Sequence, residues 1–267
     1  MTKAAVDALR VIHDQVRVVL GSLGPADWDR PSACSGWTVK DLVSHMSSNM
    51  KEVVEPSPPP PEPPPAMSAE EGMEALVAPR KPWTADEVRA EYDRYLEPWL
   101  ATLAAMQEEP LASSTAPVAD LGTYPLHTLA NAFAFDHYCH LRVDLLAPSG
   151  PVVDRLPAPT DAEVAPGIEW MLLGMPQMQA TELARAVGKP LGLRLTGTGG
   201  GEWTVQPAGA DGLVSVTPGI SGAAATVTSS AHDFVRWGTK RCNWRDCCTV
   251  EGDAAYAAGV LDVLNIV

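Results

Sequence analysis

Basic residues are scarce in this sequence: 19 lysines and arginines face 33 acidic residues, and the formal net charge is −14. Such a surface repels the phosphate backbone of nucleic acids, so we expect no nucleic-acid partner. The basic residues between Arg236 and Arg245 form a short run that suits one small anion at most. A solvated helix face is the simpler interpretation of that run.

Long hydrophobic runs are also missing, because no apolar stretch approaches the ~20 residues that span a bilayer. The first fifteen residues have the pattern of an amphipathic helix rather than a signal peptide. Five cysteines, an odd number in a long chain, do not describe a disulfide framework, and the neighbours Cys247 and Cys248 are poorly placed to bridge. We therefore expect a cytoplasmic protein with reduced thiols and no membrane partner.

The sequence does contain enough apolar residues for two cores, since 46% of its 267 residues are hydrophobic. Its first half is helical in pattern and its second half is rich in short β segments. Residues 148–159 carry several prolines and neither pattern. We predict one domain over residues 1–150 and another over 151–267, with the boundary in that stretch.

Helices of the first half are indicated by apolar spacing and by capping signals. Residues 6–23 carry an apolar stripe, and Thr38 and Thr84 each precede an acidic residue by three positions, as capping boxes do. Ser68 starts a further helical stretch. Pro98 should kink or split the helix that begins at Thr84. Residues 56–65 are almost entirely proline and predict a surface polyproline loop.

The second half predicts a sheet between helices. Four short β-rich segments follow one another between residues 191 and 229, separated by glycine, proline and aspartate. This arrangement is typical of an antiparallel meander. Two helices, at about residues 230–241 and 253–264, close the chain.

The chemistry of the first half lies in two places. His45 belongs to the second helix, and Asp136 and His140 are four residues apart on a later helix, where their side chains project from nearly the same face. A carboxylate and an imidazole at that spacing can hold one metal ion together. His45, Asp136 and His140 would leave the fourth position of a tetrahedral site open, as in catalytic zinc sites.

A second pairing fits the spacing as well. His137 and His140 are three residues apart and can share a ligand face, which would leave Asp136 as an orienting residue. The spacing alone does not decide between Asp136 and His137. A cluster of polar surface residues without any metal is the simplest alternative.

The segment RPSACSGWTVKDLVSHM, residues 30–46, resembles the signature of the mycothiol-dependent maleylpyruvate isomerase family. The resemblance implies that His45 is a metal ligand and that Asp136 and His140 stand where the family has Glu-x-x-x-His, with aspartate in place of glutamate. Aligning instead on Arg142 and Asp144, which match a common Arg-x-Asp of the family, shifts the register by one and favours His137.

The resemblance also implies the fold: an N-terminal four-helix DinB-like bundle, followed by a smaller sterol-carrier-like α/β domain with an antiparallel sheet. It implies a divalent metal, zinc, and mycothiol or another low-molecular-weight thiol as cofactors. The expected function is an isomerase or S-transferase that acts on a small, electrophilic, anionic substrate. Arg241 and Arg245 are the expected catalytic cations. The rival hypothesis is a catalytically silent protein that keeps the fold and binds a small molecule.

Overall fold

Two compact units make up the chain, Met1–Ala158 and Pro159–Val267. The computed structural model describes residues 3–58 and 67–266. Most of the proline-rich segment, for which the sequence predicts a polyproline loop, therefore lies outside the described residues. Among those residues, none of the helices combines the length and the apolar character that crossing a membrane requires.

The first unit is built mainly of helices. They are α1 (Lys3–Ser22), α2 (Val39–Val54), α3 (Ala69–Val77), α4 (Ala85–Ala105) and α5 (Leu129–Cys139). A π-helical turn, His140–Leu145, continues α5. A small hairpin of β1 (Thr115–Pro117) and β2 (Thr123–Pro125) lies between α4 and α5. Helix α2 packs against α4, and α1 packs against α5.

Local signals set the starts of these helices. Thr38 accepts a hydrogen bond from the Asp41 amide, and the Asp41 carboxylate accepts one from the Thr38 amide at 3.0 Å. Thr84 and Glu87 make the same exchange at the start of α4. Because the first amides of a helix have no partner within it, these side chains satisfy donors that would otherwise depend on water. The predicted starts are confirmed.

Pro98 does not split α4, which runs unbroken from Ala85 to Ala105. Proline removes one amide donor and crowds the preceding turn, so this position costs free energy locally. Residues on both sides of it are nonetheless buried in the core, among them Leu96, Trp99 and Leu100. Their packing holds the helix continuous, so Pro98 does not split it, and the predicted kink stays a prediction.

The second unit combines helices with one sheet. Its helices are α6 (Asp161–Met178), α7 (Ala180–Ala186), α8 (Ala231–Gly238) and α9 (Ala254–Val263). Its strands are β3 (Leu191–Thr196), β4 (Gly201–Gln206), β5 (Ser215–Pro218), β6 (Ala225–Ser230) and β7 (Thr249–Gly252). Alternate residues of β6 are buried, as expected for a strand with one face on the core.

The strand order is β5-β4-β3-β6-β7, which is not that of a meander. Strands β4 and β7 pair antiparallel with their neighbours, but β6 lies parallel to β3, with Leu193 opposite Val227. The predicted meander is therefore corrected to a mixed sheet. Alternation of apolar residues reports that a segment is a strand, and it carries no information about which strand lies beside it.

The first test concerns the cap of α4. Replacing Thr84 by Ala removes the acceptor for the Glu87 amide and should lower the free energy of unfolding by about 1 kcal/mol. Denaturant unfolding followed by circular dichroism measures the change. Thr102→Ala is the matched control, because Thr102 sits on the same helix and bonds only the Pro98 carbonyl; alanine there should be neutral or slightly stabilising. Equal losses in both variants would contradict the capping role.

Candidate metal centre

Three polar side chains of the first unit converge between α2 and α5. His45 lies on α2, Asp136 lies on α5, and His140 begins the π-helical turn. Nε2 of His45 is 3.1 Å from Asp136 Oδ2, and Nε2 of His140 is 3.2 Å from Asp136 Oδ1. One ligand atom of each residue lies within 4.8 Å of the others. The two imidazoles thus contact the two oxygens of the same carboxylate.

The orientation of His140 is fixed by a residue that lies deeper in the protein. Its Nδ1 is 2.8 Å from Oδ2 of Asp144, which is fully buried. An ionised carboxylate only accepts hydrogen bonds, so the proton of His140 sits on Nδ1 and Nε2 is left to face Asp136. Metal-binding histidines commonly have such a carboxylate behind them.

His45 is held by the contacts of its Nε2 and by packing of its ring, but not through its Nδ1. Its Nδ1 is buried and has no hydrogen-bond partner among the described residues. The Trp37 ring lies 5.0 Å from the His45 ring, centroid to centroid, and the Trp37 Nε1–H donates to Glu74 at 2.7 Å. Asn49, one turn further along α2, has its Nδ2 3.4 Å from His45 Nε2. The indole therefore covers one face of the imidazole.

A buried ion pair fixes α2 relative to α4. The Arg80 guanidinium donates to both carboxylate oxygens of Glu91 at 2.6 Å, and the Ser47 hydroxyl on α2 donates to the same Glu91 at 2.7 Å. Two parallel bonds of this kind fix direction as well as distance. Ser47 is two residues from His45, so this contact supports the helix that supplies the first histidine.

Charge balance inside the cluster shifts the pKa values of its members. Burial by itself would raise the pKa of Asp136, but His45 and His140 hold it well below its usual range. Burial would lower the pKa of His140, yet the carboxylates of Asp136 and Asp144 raise it to about 9. At neutral pH the carboxylate is therefore ionised and His140 carries a second proton, on the Nε2 that faces Asp136, which a metal would have to displace.

These donors fit a divalent metal ion. Two imidazole nitrogens and one carboxylate oxygen form a ligand set that zinc accepts, with a fourth position left open. The carboxylate is partly exposed, with 28% of its side chain accessible, whereas both imidazoles are buried. A buried pair of rings around an accessible carboxylate provides ligands together with an approach from solvent.

His137 faces the cluster only with its Nε2, which lies 3.5 Å from Asp136 Oδ2, while its Nδ1 points toward His13. It is fully buried, stacks on Trp99 with ring centroids 5.2 Å apart, and places its Nδ1 2.8 Å from Nε2 of His13. His13 in turn hydrogen-bonds the Tyr92 hydroxyl. Burial, together with His45 and His140, lowers the pKa of His137 to about 3 even though Asp136 opposes the shift. The alternative in which His137 replaces Asp136 as a ligand is not favoured by this geometry.

The charge of Asp136 determines the directions of the hydrogen bonds that link His137, His13 and Tyr92. His137 Nε2 makes no hydrogen bond among the described residues, and Asp136 Oδ2 lies 3.5 Å from it. Facing an ionised carboxylate, Nε2 carries the proton, so Nδ1 of neutral His137 accepts from His13. Burial also holds the pKa of His13 well below its ordinary value, so its remaining nitrogen accepts from Tyr92. Tyr92, His13 and His137 thus form a row of three neutral groups, and the row ends beside the candidate ligand Asp136.

Arg241 and Arg245, the predicted catalytic cations, lie in the second unit. Arg245 is exposed and donates to both oxygens of Asp262, at 2.6 and 2.9 Å. It also lies over the Trp244 ring. An anionic ligand would have to compete with Asp262 for this guanidinium. The backbone amide of Arg241 donates to Arg236 at 2.8 Å, and its side chain is exposed. Their catalytic assignment stays a prediction.

Sequence reasoning missed the supporting residues of the cluster. Asp144 repeats the four-residue spacing that singled out Asp136 and His140, so the same rule would have found it. The position of Trp37 over His45 depends on the tertiary fold. The contact between His13 and Tyr92 joins residues 79 positions apart, and no local pattern reports it.

The second test concerns this buried row. Tyr92→Phe should lower the free energy of unfolding by about 1–3 kcal/mol, because it leaves a buried nitrogen of His13 without a donor. Tyr95→Phe is the control on the same helix, since its hydroxyl donates to the well-exposed Glu55 and water can replace it. Denaturant unfolding compares the two. A Tyr92→Phe loss no larger than that of Tyr95→Phe would contradict the assigned bond.

Comparisons with known proteins show which fold and which family this chain shares. Two solved structures, of the mycothiol-dependent maleylpyruvate isomerase and of a histidine-to-alanine mutant of it, align with 92% of this chain and 91% of their own. Their TM-score is 0.56 in both cases, at 17% and 16% identity, which shows a shared fold.

The sequence itself carries the family assignment. No curated protein sequence matches the chain significantly. A family profile, described as the mycothiol maleylpyruvate isomerase N-terminal domain, matches residues 9–145, which include all three converging side chains. The predicted family is confirmed, and its name is that of an enzyme. The chain belongs to the mycothiol maleylpyruvate isomerase N-terminal domain family.

Proposed function

We propose that this protein is a metal-dependent enzyme that uses mycothiol, or another low-molecular-weight thiol, to isomerise or thiolate a small electrophilic anion. The observation that carries the proposal is the convergence of His45, Asp136 and His140 within 4.8 Å. The family assignment supports the thiol, and maleylpyruvate, named in the solved relatives, is the first substrate to try. We describe the first unit as DinB-like and the second as sterol-carrier-like.

His45, Asp136 and His140 would hold the metal. A bound zinc ion lowers the pKa of a coordinated thiol and so supplies a thiolate nucleophile at neutral pH. The protein then needs no nucleophile of its own.

The protein's own groups orient this chemistry. Asp144 keeps the His140 proton on Nδ1, so that Nε2 faces the centre. Trp37 covers one face of the His45 ring and excludes water from it. Asp136 carries the negative charge that offsets a divalent cation in this buried setting. Arg241 or Arg245 would bind the anionic group of the substrate.

The third test decides which residue of α5 is the ligand. In protein prepared without chelator or affinity tag, Asp136→Ala should lose stoichiometric metal, because it removes one of three ligands. His137→Ala should keep the metal, or lose affinity by no more than the ~10–100-fold typical of an outer contact. Metal content by mass spectrometry and affinity by competition with a chromophoric chelator measure both.

His45→Ala and His140→Ala complete this series, and both should lose metal while the helical circular dichroism signal is kept. Retention of metal by Asp136→Ala together with its loss in His137→Ala would move the site by one residue. Stoichiometric metal in both His45→Ala and His140→Ala would remove the site from the proposal.

The fourth test examines the thiol. A thiol that binds an open metal position as its thiolate displaces water and releases a proton. In the cobalt-substituted protein, mycothiol should produce a sulfur-to-cobalt charge-transfer band in the near ultraviolet, since nitrogen and oxygen ligands give no such band. S-Methyl mycothiol is the matched control, because it keeps the sugar part and cannot form a thiolate.

Glutathione and cysteine show whether the thiol is recognised or merely tolerated. Mycothiol should give the band at lower concentration than either. Intact cobalt binding with no band for any thiol would contradict thiol catalysis, and a small-molecule-binding protein that keeps the fold would then be the better description.

A further inference from the structure

Three of the five cysteines come together in the second unit. Cys242, Cys247 and Cys248 lie between α8 and β7, and all three are half-buried. Sγ of Cys242 is 3.4 Å from Sγ of Cys247. The two sulfur atoms are in direct contact although five residues separate them in sequence. The other cysteines, Cys34 and Cys139, belong to the first unit.

The backbone of this segment is folded so that the two thiols meet. Lys240 adopts a positive φ of 59°, which turns the chain out of α8. The amide of Cys242 then donates to the Arg236 carbonyl, and the short helical turn Trp244–Asp246 reverses the chain. The amide of Cys247 donates to the Trp244 carbonyl at 3.1 Å. Residues 242–247 therefore form a closed loop with a cysteine at each end.

A side-chain anchor on α9 holds the loop in place. Asp262 accepts from Trp244 Nε1 at 2.8 Å and from the Arg245 guanidinium through both oxygens. Arg245 also lies over the Trp244 ring, 4.2 Å from its centroid. The middle of the loop is thus tied to a helix. An anchored loop gives each of its end thiols a high effective concentration at the other.

We propose that Cys242 and Cys247 are a redox-active dithiol that closes to an intramolecular disulfide when it meets a low-molecular-weight disulfide. This proposal does not rest on the proposed function, because it involves neither the metal cluster nor any substrate.

The reaction proceeds by two thiol–disulfide exchanges. Cys247 donates its S–H to the Asn243 carbonyl, so it keeps its proton and the first attack falls to Cys242. The Cys242 thiolate attacks one sulfur of RSSR, and a mixed disulfide forms as the first RS⁻ leaves. Cys247 then loses its proton to solvent and attacks Sγ of Cys242, and the second RS⁻ leaves. The protein loses two electrons and two protons, and RSSR becomes two RSH.

The environment of the thiols favours the closed form. Burial and the neighbouring Cys242 sulfur raise the pKa of Cys247 to about 12, and burial raises the pKa of Cys248 to about 12 as well. A dithiol whose reduced form gains nothing from thiolate stabilisation has a stable disulfide, in contrast to strongly oxidising pairs. The exchange should therefore be slow at neutral pH, faster at higher pH, and favourable at equilibrium.

Cys248 is the third cysteine of this segment and the alternative partner for either of the other two. It adjoins Cys247, but neighbouring cysteines are poorly placed to bridge, because the short peptide between them strains the disulfide geometry. Cys242 and Cys247 are five residues apart in sequence, and their sulfur atoms lie 3.4 Å apart.

The test treats the full-length protein with excess glutathione disulfide at mildly alkaline pH and maps its peptides. Of the five thiols, two should be lost, the intact mass should fall by two hydrogen atoms, and the peptide carrying Cys242 should be joined to that carrying Cys247. Cys248→Ser should behave like the natural protein. Cys242→Ser should form no internal bridge, and Cys247→Ser should stop at the mixed disulfide on Cys242.

A second measurement tests whether the Asp262 anchor brings the two thiols together. In glutathione redox buffers, Asp262→Ala should lower the effective concentration of the pair several-fold, because it frees the loop from α9, while circular dichroism shows the unit still folded. A bridge that includes Cys248, or mixed disulfides that never resolve to an internal disulfide, would overturn the proposal. So would an effective concentration in Asp262→Ala equal to that of the natural protein.

Discussion

The rest of the first unit depends on one carboxylate placed between two imidazoles. Asp136 lies between His45 and His140, and neither ring could be buried there without a partner. Burial of a lone charge costs far more than any single contact returns, so the three groups are stable only together. The helices that carry them are fixed by directional contacts, such as the pair of parallel hydrogen bonds from the Arg80 guanidinium to the Glu91 carboxylate.

How much of this could be predicted follows from how local each signal is. The starts of α2 and α4 were predictable, because a capping box lies within four residues. The pairing of Asp136 with His140 was predictable for the same reason, since one helix face contains both. His45 was the weaker part of the predicted ligand set, because nothing in its own segment distinguishes a ligand from an ordinary core histidine, and the resemblance to a family added the reason to choose it.

The parts that sequence could not supply depend on tertiary contact. Trp37 covers the His45 ring, yet it looks like an ordinary core residue in sequence. The same holds for the sheet, in which β6 lies beside β3 in parallel. Strand pairing is decided by how α6, α8 and α9 are accommodated around the sheet, and a period of two residues cannot encode it. Pro98 shows the reverse case, where packing overrides a strong local signal.

The π-helical turn after α5 explains why the ligand register looked ambiguous. A turn of this type contains one residue more than an α-helical turn, because its hydrogen bonds span five residues instead of four. An alignment anchored on Arg142 and Asp144 must absorb that residue somewhere upstream, and it then pairs His137 with the ligand position. An alignment anchored on His140 absorbs it downstream and pairs Asp136. An alignment drawn through this segment should therefore allow a one-residue gap inside residues 140–145, where the helix is wider.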